Sequence, residues 1–146
     1  MHLYELAVDN YKNTKMNCAE SVLDACNRYY NLNLTDREKA LISPLGEGMQ
    51  TFESCCGAIS ASVSIIGLIT LKDQELNFQN KEGEEYIQEL IGAFLNSFST
   101  LQCRSLQQLQ LIDKEEHEVE DNCPVFVEVV TRKLEEIINQ IRQAQN

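Results

Sequence analysis

Basic residues are scarce in this chain. Lysine and arginine number 12 against 23 aspartates and glutamates in 146 residues, a formal net charge of −11, and the sequence pI is near 4.5. Such a surface repels phosphate backbones and anionic headgroups, so neither nucleic acid nor a membrane surface is an expected partner. Long apolar runs are missing too. The longest weakly polar one, residues 57–71, is too short to span a bilayer and carries Ser60, Ser62 and Ser64. The opening MHLYELAVDNYKNTK has no basic stretch followed by an apolar run. No signal peptide is read there, and a cytoplasmic location is the expectation. Proline occurs only at positions 44 and 124. With few β-branched runs and no hairpin dipeptides, there is little from which to build a sheet.

The usual catalytic signatures are also wanting. Gly46-Glu47-Gly48 lacks the GxGxxG pattern, a P-loop lysine and a preceding strand, so it is no phosphate cradle. There is no Gly-x-Ser-x-Gly elbow and no HExxH, which leaves a hydrolase without its machinery. CxxC is absent as well, which removes the signature of a thioredoxin-like site or a zinc ribbon.

What remains is helical. The hydrophobic fraction of 43% supports a core without disulfides. No repeat, low-complexity tract or linker divides the chain, so residues 1–146 read as one all-α domain, a compact bundle of five to six helices. A short first helix near residues 3–13 shows Tyr4, Ala7, Val8 and Tyr11 on one face. Asn17 with Glu20, and Thr35 with Glu38, form two capping boxes. The first opens a helix to about Tyr30; the second opens one that stops near Pro44. Residues 45–49 read as a flexible connector. Ser54 is the expected cap of a helix rich in small residues that runs to about Thr70 and takes the centre of the bundle. The polar stretch 72–81 leads to an amphipathic helix through Ile87, Leu90, Ile91, Phe94, Leu95 and Phe98. Ser99 or Thr100 is expected to cap a short helix, and Pro124 to begin the last, whose core stripe is Val127, Val130, Leu134, Ile137, Ile138 and Ile141.

Against this background the cysteines stand out. Six are more than packing needs, and in a reducing compartment they point to metal or redox chemistry rather than a structural framework. Cys18, Cys56, Cys103 and Cys123 each fall at an expected helix start. Unpaired N–H groups and the positive dipole end there favour the thiolate, the form that attacks disulfides and binds metals. The alternative is four separate buried thiols. Cys26 lies mid-helix on the packed stripe and reads as a core residue. It cannot pair with Cys18 along one helix, since eight residues separate them by about 12 Å. Cys55 reads as a spectator, a vicinal disulfide with Cys56 being strained. His2 and His117 are weak ligand candidates. The acidic stretch 113–121 lacks the ordered spacing of a calcium loop.

The order Asn17-Cys18-Ala19, Gly46-Glu47-Gly48-Met49, Cys56-Gly57-Ala58, then Cys103 and Cys123-Pro124 resembles a redox-active protein family. That family is recognised by a cysteine, a Cys-Gly-Ala-x-x-Gly motif and two further cysteines. The resemblance covers about residues 17–130, with Ala61 where the motif ends in glycine. It implies an all-helical protein with a redox role for Cys18, Cys56, Cys103 and Cys123. Three readings follow. The first is thiol–disulfide or electron-transfer chemistry with an unidentified protein or small-molecule redox partner. It has Cys56 as the attacking thiolate, one of the other three as resolving thiol, and no cofactor. The second is a metal module in which the same four cysteines hold zinc or an iron–sulfur cluster. The third is a structural or interaction protein with inert thiols.

Overall fold

The computed structural model describes residues 1–72 and 80–146. Residues 73–79 of the polar stretch lie outside the described residues. The described chain forms seven α-helices: α1 (Leu3–Asn13), α2 (Cys18–Tyr30), α3 (Asp36–Ile42), α4 (Gly57–Thr70), α5 (Lys81–Phe98), α6 (Cys103–Gln107) and α7 (Cys123–Ala144). Among the described residues there is no strand; the extended pairing consists of two isolated bridges, Cys55 with Gln102 and Ile112 with Glu118. The all-α expectation therefore holds, and the count is seven rather than five to six. The two shortest, α3 and α6, are seven and five residues long and are held by the neighbouring chain, since isolated helices of that length would not persist. No helix among the described residues is long and apolar enough to cross a membrane.

Local chemistry sets most boundaries. Asn17 Oδ1 accepts the Glu20 N–H at 2.9 Å, and Glu20 returns a carboxylate to the Asn17 N–H at 3.0 Å. Thr35 and Glu38 repeat this exchange at 3.2 and 3.1 Å, so both capping boxes form as the sequence predicts. Asn31 ends α2 in the left-handed region, and Pro44 turns the end of α3 into a tight turn, Ser43–Leu45.

The apolar stripes then assemble. α4 packs against α2, α5 and α7, and α1 lies on α2 and α7, which puts α4 at the centre. Its buried hydroxyls are satisfied within the helix: Ser62 and Thr70 each donate to the carbonyl four residues back, both at 2.7 Å. All six residues of the predicted α7 stripe are buried, with Leu134, Ile137 and Ile141 fully so. Each such side chain contributes about 1.5–3 kcal/mol of burial.

Three expectations are corrected. Cys56, not Ser54, is the N-cap of α4. Ser99 ends α5 in the left-handed region instead of capping α6, whose N-cap is Gln102. The connector expected to be flexible is a defined turn: Glu47, Gly48, Met49, Gln50 and Phe52 have φ of 55°, 59°, 60°, 61° and 62°. Four of those five carry a Cβ, so the turn holds backbone strain that its surroundings must offset. Gly48 has a steric reason to be glycine besides its φ. A Cβ there would stand 2.6 Å from Cys103 Cβ.

Candidate functional site: a four-cysteine cluster

Each of the four cysteines sits at a helix start, as the sequence implies. Cys18, Cys103 and Cys123 are the first residues of α2, α6 and α7, and Cys56 is the N-cap of α4. The bundle brings these starts together. All four cysteines line one small void of about 10 Å³, together with Leu106, Gln107 and Phe126. A void that small sits at the lower limit for one water, so the residues that line it leave little room for solvent between them.

Glycine and a backbone clamp make this convergence possible. Gly57 lets α2 approach α4: a Cβ there would meet Cys18 Sγ at 2.7 Å and Gly46 Cα at 2.8 Å. A Cβ on Gly46 would collide with the Asn17 side chain, which caps the Cys18 helix. Across the cluster, Cys56 N–H donates to the Leu101 carbonyl and Cys103 N–H to the Ser54 carbonyl, both at 2.8 Å. These two bonds fix the α4 and α6 starts together. On α7, the Asn122 side chain donates to the carbonyls of Leu106 and Leu109 at 3.1 and 2.8 Å and ties Cys123 to the end of α6.

The four thiols differ in access. A cavity of about 290 Å³ opens outward, and Cys18, Cys103 and Cys123 line it beside Tyr11, Lys15 and Phe52; Cys56 does not. Cys123 is the half-buried member, while the other three are buried. A partner arriving from solvent therefore meets an outer thiol first, and the expected attacking residue, Cys56, sits behind.

Electrostatics run against the sequence reading. Helix starts were expected to favour thiolates, yet burial wins. Cys56 is pushed up, first by burial and then by neighbouring Cys18. The Ala58 and Ile59 amides pull the other way without closing a cap hydrogen bond. Cys103 is raised by burial, Cys18 and Glu47, with Arg104 opposing. Cys123 is pushed up to about 11 by burial; a hydrogen bond with Tyr11 opposes this, and Asp121, Cys18 and Cys103 add to it. The site is a buried pocket that favours neutral thiols, because loss of solvation in a low dielectric outweighs the helix-end field.

Tyr11 is the contributor that sequence patterning missed. It counted there as part of an apolar face, yet it lines the outward cavity with Cys123 and its hydroxyl acts on that thiol. The available signal was the general one that a tyrosine on a core face needs a partner for its polar tip. Gln107 also donates to Cys103 Sγ at 3.6 Å.

The other candidates fall where their simpler readings put them. Cys26 is fully buried in the aliphatic core, with its pKa raised by burial alone. Cys55 is half-buried beside the cluster and donates to the Cys56 carbonyl at 3.6 Å. All six cysteines are free thiols. His2 caps α1 near Glu135, and His117 faces Asp113 and Glu115 on the surface. Among the described residues, no three cysteine, histidine, aspartate or glutamate side chains are grouped so as to hold a metal ion.

Comparison with known proteins agrees with the cysteine pattern. Residues 16–137 match the family model described as "Putative redox-active protein (C_GCAxxG_C_C)", and the chain belongs to that family. Where that description writes Gly-Cys-Ala-x-x-Gly, this chain reads Cys56-Gly57-Ala58-Ile59-Ser60-Ala61, with glycine after the cysteine and no closing glycine. No curated protein and no solved structure matches the chain.

Proposed function

We propose that the cluster is a thiol–disulfide redox centre, cycling thiol pairs to disulfides and back with two electrons and two protons per pair. The observation that carries this reading is that four cysteines from four helices line one small void. Four buried thiols used only for packing have no reason to share one lining or to open onto an outward cavity, whereas Cys26 shows how such a packing thiol sits.

The co-reactant is a protein or small-molecule disulfide. The Cys123 thiolate, exposed to the outer cavity and steadied by the Tyr11 hydroxyl, attacks one sulfur of that disulfide. A new S–S bond forms, and the partner's other sulfur leaves as a thiolate that takes up a proton. A second cluster thiolate attacks Cys123 Sγ, closes an internal disulfide and releases the second partner thiol. The cluster is oxidised by two electrons, the partner is reduced by two, and two protons follow. The raised pKa of Cys123 keeps its thiol predominantly neutral at pH 7.

Thiol trapping across a series of glutathione redox buffers tests this. Alkylated protein read by intact mass should lose free thiols in pairs and regain them on re-reduction. Protein that keeps every thiol through mildly oxidising buffers, or loses them irreversibly, overturns the proposal.

A further inference from the structure

We propose that the four cysteines form two stacked dithiols, an outer pair Cys103–Cys123 that exchanges with the partner and an inner pair Cys18–Cys56 that stores a second electron pair. This inference rests on the thiol–disulfide reading above and assigns the pairing that reading leaves open.

Four cysteines allow three complete pairings, and the geometry selects one. The bridge between Cys55 and Gln102 sets Cys56 opposite Leu101, with the two flanking bonds at 2.8 Å. In that register Cys103 is the diagonal neighbour of Cys56, about 7–8 Å away across such a bridge. A disulfide needs Cα atoms within about 7 Å, so a diagonal register puts Cys56 and Cys103 at the outer edge of bonding reach and makes theirs the least favoured pairing. That sets aside the arrangement containing Cys56–Cys103.

The two arrangements left differ in whether Cys56 pairs with Cys18 or with Cys123. Cys18 Sγ lies 2.7 Å from where a Gly57 Cβ would stand, one residue from Cys56. Cys18, Cys103 and Cys123 line the outward cavity, so Cys56 is the one thiol of the four set back from it. Cys18 is the neighbouring thiol that most raises Cys56. Cys18 also raises Cys103 and Cys123, which makes it the link between the tiers.

Transfer inward is a balanced exchange. The Cys18 thiolate attacks Cys123 Sγ of the outer disulfide, forming Cys18–Cys123 and releasing the Cys103 thiolate, which takes up a proton. The Cys56 thiolate then attacks Cys18 Sγ, forming Cys18–Cys56 and releasing Cys123 as a thiol. No net oxidation occurs, and the outer dithiol is free to reduce a second partner disulfide. The full capacity is four electrons.

Stepwise oxidation with bis(2-hydroxyethyl) disulfide, followed by acid quench, alkylation and peptide mapping, tests the pairing. Fully oxidised wild-type protein should lack four hydrogens and show Cys18–Cys56 with Cys103–Cys123. The Cys56→Ser variant, with folding checked by circular dichroism, should lack two and show Cys103–Cys123. Full oxidation to Cys18–Cys103 with Cys56–Cys123, or to Cys18–Cys123 with Cys56–Cys103, overturns the two-tier assignment. So does a Cys56→Ser variant whose main disulfide contains Cys18. Wild-type protein that forms no reversible disulfide sinks the redox reading itself, so the two failures are distinguishable.

Discussion

Cys26 and Cys123 occupy opposite kinds of site in one molecule. Cys26 lies mid-helix among aliphatic side chains, and only loss of solvation acts on its thiol. Cys123 lies at a helix start, where loss of solvation is joined by a phenol hydrogen bond, a carboxylate and two other sulfurs. Both thiols are held neutral, so burial is not what separates them. The difference is in the neighbours: Cys123 shares its surroundings with other cysteines, and Cys26 is fully buried in the hydrophobic core away from them. A raised pKa therefore marks both the inert thiol and the cluster thiol, and it identifies a functional cysteine only together with adjacent sulfur and a route to solvent.

The same contrast divides the molecule. The aliphatic interior around α7 is held by area and shape; the sulfur end is held by glycines, caps and a backbone clamp. Truncation at the aliphatic end should give the largest loss. Ile137→Ala removes a fully buried side chain and should cost about 2–5 kcal/mol, read by urea denaturation, while the thiols form the same disulfides. A variant that loses disulfide formation while still folded would break the proposed independence of the two regions.

Gly57→Ala addresses the sulfur end. Its Cβ would meet Cys18 Sγ and the Gly46 backbone below 3 Å, so overpacking should cost about 1–3 kcal/mol. Unlike the core truncation, it should also change how fast Cys18 is alkylated in the folded state. A Gly57→Ala variant with unaltered stability and unaltered Cys18 labelling would show that the close approach is unimportant.

Alkaline pH should bear on the reduced protein more than the oxidised one. Cys123 rises from 9.0 to about 11 in the folded state, and Cys56 rises in the same direction. Above pH 9 the unfolded chain releases thiol protons that the folded chain retains, so the unfolded state gains. The stability contribution is fully present below pH 9 and is lost as pH climbs toward 11, at roughly 1 kcal/mol per pH unit for each such thiol. Melting temperatures measured from pH 8 to 10.5 should fall more steeply for reduced than for oxidised protein; equal slopes would refute this account.

The smallest effect belongs to Tyr11→Phe. Loss of the phenol donor removes the hydrogen bond that opposes the rise at Cys123. Iodoacetamide labelling of Cys123 at pH 8.5 should slow by about twofold to tenfold, in line with a hydrogen bond of about 0.5–1.5 kcal/mol. Faster labelling would mean that the ring acts mainly as a cover over the sulfur.

Much of the architecture was legible in order along the chain. Periodicity located α1, α2, α5 and α7, and the Asn17–Glu20 and Thr35–Glu38 boxes fixed two helix starts because both partners of each exchange lie within four residues. Where local signals were weak the reading drifted: Ser54 and Thr100 looked like caps, but the pairing of residues 54–56 with 101–103 set the starts of α4 and α6 instead. The left-handed turn after Gly46 was not visible, because its conformation is imposed by packing against the Cys103 segment.

The division has a physical cause. The helical class, the apolar stripes and the placement of four cysteines at helix starts were all present in the linear order of residues, since each depends on neighbours within a turn or two. It took the assembled bundle to make those starts share one small void, to put Cys56 at the back and Cys123 at the front, and to hold Cys56, Cys103 and Cys123 neutral. Solvation loss and sulfur–sulfur proximity are properties of the space between helices, and no single helix encodes them.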